Sequence, residues 1–169
     1  MNGIHGWLDR LLKLAISVLL AGMVINVVWQ VFTRFVLKSP SSVTEEMARY
    51  SMIWLGLLGA AYSSGRKSHL ALDLLTLKLQ GPRRRLLELF IQSCLLAFAL
   101  VVMVGGGGRL VWISLELGQT SAAMQVKLGY IYLAVPVSGA LIALYAAMDL
   151  AAAARGQGTT AVPAKGDFT

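Results

Sequence analysis

Between Trp29 and Asp73 the chain alternates apolar stretches of bilayer length with tightly grouped charges. One apolar helix candidate runs out at Arg34, and a short loop ends in the acidic pair Glu45-Glu46. A second apolar candidate follows, closed by Arg66-Lys67-Ser68-His69-Leu70-Ala71-Leu72-Asp73. Charges at the ends of membrane-length segments are expensive unless they meet partners or reach the headgroups. The pattern therefore predicts an all-α integral membrane protein with ordered contacts at the membrane edges. The expected fold has four transmembrane helices and an amphipathic interfacial helix between the second and third.

Composition agrees. The 169 residues are 57% hydrophobic and only 14% charged, against roughly 25% charged in soluble domains. The single cysteine, Cys94, lies inside an apolar run, which excludes an intrachain disulfide and a cysteine-based metal site. A net charge of +7 is compatible with nucleic-acid binding. The basic residues gather at the edges of the apolar runs, however, so a topological role is favoured and no nucleic-acid partner is expected.

The four spans are expected at residues 14–32, 47–64, 86–104 and 128–148, within one membrane domain covering 1–155. A cytoplasmic tail at 156–169 has a disordered composition. The first run is too long for a signal-peptide core and lacks a small-residue cleavage site, so it reads as a retained span. Within it Asn26, Gln30 and Thr33 recur at i, i+4 and i+7 and should face protein, because an unpaired amide in hydrocarbon is costly. Ser42 or Thr44 is suited to cap the second span, with Glu45 and Glu46 favourable in its first turn. Gly56, Gly59, Ala60 and Ser63 form a small-residue stripe that would admit another helix closely. Tyr50, Trp54 and Tyr62 read as membrane-interface aromatics.

Residues 66–80 place His69, Asp73 and Thr76 on one narrow stripe of a leucine-rich segment, as in a helix lying along the membrane surface. The alternation over 70–74 also fits a strand, but an isolated strand edge at a bilayer would leave backbone groups unpaired. Arg83, Arg84 and Arg85 then read as an anchor to anionic membrane lipids. The four glycines at 105–108 leave open whether 86–117 is one helix or a broken one. Pro136 should kink the last span. Ten basic residues on the side of both termini against five on the other predict cytoplasmic termini.

Chemistry is conspicuous by what the spans omit. No histidine lies within them to hold haem, no HExxH, P-loop or GxSxG motif occurs, and no cofactor or enzymatic activity is expected. The candidates for structural ion pairs or subunit contacts are Arg34, Glu45, Glu46, Arg49, Arg66, His69 and Asp73. Arg34 with Glu45 or Glu46 forms an internal bridge in the simplest reading, and reaches a partner in the sharper one. His69 and Asp73 either staple one helix or touch a partner or headgroup. Asn26, Gln30, Gly56, Gly59 and Ala60 make up the expected helix-packing face.

The segment WQVFTRFVL…SSVTEEMARYSMIWLGLLGAAYSSGRKSHLALDLL, with GQTSAAMQVKLGYIYLAVPVSG further on, resembles the small membrane subunit of TRAP (tripartite ATP-independent periplasmic) transporters, the DctQ-like family. The resemblance rests on Arg34, Glu45-Glu46, Gly59-Ala60, Arg66, His69 and Asp73. It extends to the Gln119–Ser121 loop and the Tyr132–Pro136 step, and covers roughly residues 10–150. Lys127 stands where the family pattern has a proline. The resemblance implies a scaffold in the bacterial inner membrane. Its partners would be a large permease subunit, which carries the substrate and sodium sites, and a periplasmic solute-binding protein that captures an organic acid. Two other readings are a stand-alone four-helix exporter, disfavoured by a first span without an acid, and a membrane anchor of a redox complex.

Overall fold

The computed structural model describes residues 2–39, 41–65 and 82–154. The expected interfacial helix at 66–80, with Arg66, His69 and Asp73, and the tail at 156–169 lie outside the described residues. The elements are α1 (Asn2–Phe35), α2 (Ser42–Gly65), α3 (Pro82–Phe98), a π-helical stretch (Ala99–Gly106), α4 (Gly107–Glu116), α5 (Leu128–Tyr132) and α6 (Ala134–Ala154). Among the described residues the only extended pairing is one isolated antiparallel bridge between Thr120 and Lys127.

Among the described residues three stretches are long and apolar enough to cross a membrane: Gly6–Phe35, Leu89–Glu116 and Leu128–Ala151. The second sequence-predicted span is helical but not among them. At 24 residues α2 is about 36 Å long, ample for a bilayer core. Glu45, Glu46 and Arg49 in its opening turns and its serines toward the end dilute its apolarity. The third helix does not stop near residue 104, where sequence placed the end of its span. Helical backbone continues through the glycines to Glu116 and widens to π geometry on the way.

The chain leaves α1 through Lys38, at φ 50°, and Ser39 N–H reaches back to Thr33 O at 3.3 Å. Thr44 does not cap an amide, as its sequence position had suggested. Its hydroxyl donates to Ser41 O at 2.8 Å. In the last apolar stretch the proline acts as expected. Pro136 has no N–H for Tyr132 O, and the helix breaks at Leu133 before Val137 N–H resumes bonding to Leu133 O at 3.1 Å.

Helix α6 is the hub, packed against α2 on one side and against α3 and the π stretch on the other, while α1 lies outside on α2. Small residues make this possible. Ala61, Ala99, Ile142 and Ala143 form one buried cluster, and Leu12, Leu58 and Tyr145 form a second, with Leu141 touching both. Gly139 sits close against its neighbours: a β-carbon there would stand 2.5 Å from Met103 Cβ and 3.3 Å from Ala99 O. In hydrocarbon, such close backbone approach replaces the hydrophobic effect as the source of helix association.

The inward stripe of α2 is Trp54, Leu58, Ala61 and Gly65, at i, i+4, i+7 and i+11. The stripe picked out from sequence lies elsewhere on the helix. Gly56 and Ala60 are exposed, and a β-carbon at Gly56 or Gly59 would meet nothing within 4 Å in this chain. Trp54 and Tyr62, expected at the membrane interface, both pack against the Leu12–Leu58–Tyr145 cluster.

Candidate functional site

Glu46 carries the densest polar contact among the described residues. One carboxylate oxygen, Oε2, accepts the hydroxyl of Ser121 and the backbone N–H groups of Ala123 and Met124, both at 3.1 Å. The loop is folded to deliver those donors. Ser121 N–H donates to Val126 O at 2.9 Å, and Leu128 N–H donates to Gln119 O at 2.9 Å, which closes the 119–128 segment on itself. Gly118, just before this segment, and Gln125, within it, hold positive φ of 60° and 57°. Successive amides turned toward one point make a concave anion cradle, here filled by the protein's own carboxylate. The Ser121 hydroxyl holds the Glu46 pKa below its ordinary value. Partial burial opposes this, and the amides of Met124, Ala123 and Ala122 add to the lowering.

Asn26 reinforces the same end of the bundle, its Nδ2 donating to Thr44 O at 2.8 Å across the α1–α2 loop. Thr33 is buried and returns its hydroxyl to Gln30 O at 3.0 Å. Gln30 is half-buried on the same face. This polar stripe of α1 therefore turns toward protein.

A second polar contact ties the opposite end. Tyr145, only 1% exposed, donates its hydroxyl to Asp9 Oδ1 at 2.9 Å. Gly65 is held flush against its ring, where a β-carbon on any other residue would meet Tyr145 carbons at 2.7 Å. This links α1, α2 and α6. Sequence reasoning passed over both residues, although a lone phenol in the alanine-rich α6 was the available signal.

The expected Arg34 bridge is not made. Glu45 pairs instead with Arg49 at 3.2 Å, an exposed i, i+4 contact on one helix, and Glu46 is taken by the loop. A loop that brings backbone donors to Glu46 satisfies the carboxylate without burying a second charge, and Arg34 stays exposed. Arg83, Arg84 and Arg85 open α3; their side chains lie outside the described residues. Among the described residues no group of three or more His, Cys, Asp or Glu side chains could hold a metal ion. Both polar contacts fasten helices together, and neither presents a free reactive group.

The comparisons point the same way. The family model described as "Tripartite ATP-independent periplasmic transporters, DctQ component" matches residues 23–156. A TRAP transporter small permease protein of Haemophilus influenzae is 28% identical over 144 residues, covering 84% of this chain and 86% of that protein. The isethionate TRAP transporter permease protein DctMQ of Oleidesulfovibrio alaskensis is 29% identical over 90% of this chain, which spans 25% of that longer protein. The sialic acid TRAP transporter small permease protein SiaQ of Vibrio cholerae is 30% identical over 88 residues, 52% of this chain and 51% of its own.

Proposed function

The chain belongs to the DctQ component family of tripartite ATP-independent periplasmic transporters, as a small permease subunit and not an enzyme, and we propose that it is the scaffold against which a large permease subunit works. In this reading a periplasmic solute-binding protein delivers an organic acid, and the large subunit imports it by sodium-coupled transport. The DctMQ relative, of which this chain matches one quarter, supports a large-subunit partner.

One observation carries the scaffold role. Of the three membrane-length stretches, Gly6–Phe35 and Leu89–Glu116 are each only 6% buried within the chain. Helices so open are at home against lipid or a partner and enclose no path for a solute. The carboxylates of the three stretches, Asp9, Glu116 and Asp149, all lie near their ends, so none is placed mid-membrane to couple ion movement.

In the membrane, α2 is the fourth span, residues 66–80 lie at the interface, and both termini face the cytoplasm. The open stripe of Gly56, Gly59 and Ala60 and the exposed Arg34 are then the contacts offered to partners, while Arg83, Arg84 and Arg85 meet anionic lipid. The test is affinity purification from native membranes in mild detergent, with mass spectrometry of what co-elutes. A large multi-spanning permease in near-equal amount is expected. Elution alone favours the stand-alone exporter, and a haem, flavin or iron–sulfur partner favours the redox anchor.

A further inference from the structure

Two long apolar helices are weakened at the same level, and the weak points touch. In the first, the π stretch leads into Gly105–Gly108, and the Gly107 N–H is shared among Val102, Met103 and Val104 carbonyls. Bonding at three registers at once marks a backbone poised between α and π winding. In the second, the break at Leu133 and Pro136 removes one rung of the helix. Gly107 lies directly against this break: a β-carbon there would stand 2.9 Å from Val135 Cγ1 and 3.1 Å from Pro136 Cδ.

Beyond these points the segment 109–132 is internally tight. A β-carbon on Gly129 would meet Leu115 Cγ at 2.5 Å, so α4 and α5 pack closely. The Thr120–Lys127 bridge closes their loop. Far from the weak points, the loop is fastened to α2 through Glu46. The other three glycines have no packing reason in this chain. A β-carbon at Gly105, Gly106 or Gly108 would meet nothing closer than 3.5 Å, yet glycine weakens a helix relative to alanine.

We propose that residues 109–132 form a stiff helical hairpin that swings on a hinge made of Gly105–Gly108 and the Leu133–Pro136 break, with Glu46 as the latch that holds it to α2. The hinge lets the loop end of the subunit adjust while α1, α2 and the rest of α6 remain a fixed frame. It rests on this chain's geometry alone and requires no partner.

Spin-label distances in the full chain, reconstituted in lipid nanodiscs in a Cys94→Ser background, test it. One label pair reports the hairpin against α2 (Met52→Cys with Leu117→Cys), and a control pair reports the frame (Val18→Cys with Leu144→Cys); all four sites are exposed. Glu46→Ala should widen the hairpin distribution roughly twofold and leave the control unchanged. Adding Gly105→Ala, Gly106→Ala and Gly108→Ala should narrow it again. Should Glu46→Ala fail to fold, Ser121→Ala removes the latch's hydroxyl donor and should produce a smaller widening. An unchanged hairpin distribution, equal widening in the control pair, or no narrowing by the alanines would each overturn the hinge.

Discussion

The stretch Leu128–Ala151 is 44% buried within the chain, whereas Gly6–Phe35, the more apolar of the two, is only 6% buried. In water the more apolar helix would be the inner one. In a bilayer apolarity says only that a helix can enter, and close packing decides which helix sits at the centre. Helix α6 has the means: Ala134, Ser138, Gly139, Ala143 and Ala146 offer little side chain, and Ser138 and Ala134 are fully buried. Helix α1 presents Val24, Ile25, Val28, Trp29 and Phe32 outward instead.

Substitutions can break this contrast. The largest effect is expected from Gly139→Leu, which drives a branched side chain into Met103 and the Ala99 carbonyl. Overpacking of this kind costs about 1–3 kcal/mol or more, and thermal unfolding of the detergent-purified chain should show a much lower midpoint. Tyr145→Phe should cost about 1 kcal/mol by removing the hydroxyl from Asp9, read from the same melting curves. The matching glycine on the outer helix, Gly22, has nothing within 4 Å of a β-carbon. Gly22→Ala should therefore be neutral or stabilise by up to about 1 kcal/mol. A large loss there would show that α1 is packed more tightly than the chain alone reveals.

The loop end of the bundle should respond to pH. It depends on an ionised Glu46, whose pKa is lowered in the folded state from the ordinary 4.5. Its contribution is thus fully present above that value and fades as pH falls through the lowered one. Hydrogen exchange at the amides of Ala123 and Met124 should stay slow above pH 4.5 and, corrected for intrinsic rates, lose protection only under stronger acid. Glu46→Gln should remove that pH dependence.

Much of the helical layout was legible because apolar length and end charges are written along the chain. The proline break was legible for the same reason, since a missing N–H acts locally. Partner choice was harder. Glu46 was picked out, yet its acceptor role toward residues 121–124 was not, because that pairing joins positions 75 to 78 residues apart. Nothing local distinguishes it from the Arg34 bridge. The Gly56–Gly59–Ala60 stripe shows a related limit: small residues reveal where a helix can be approached, and the inward face, Leu58 and Ala61, lies a fraction of a turn away. Lys127 is a gentler departure. Its φ of −62° suits the proline of the family pattern, and neither backbone bond of the bridge uses its N–H, so the loop keeps the shape a proline would impose.

The most direct test of the scaffold account is uptake of a labelled organic acid into proteoliposomes under an imposed sodium gradient. Vesicles would contain this chain alone, the large permease alone, or both, each with the binding protein outside. The account predicts sodium-driven uptake with both membrane subunits and none with this chain alone. Uptake by this chain alone would contradict it.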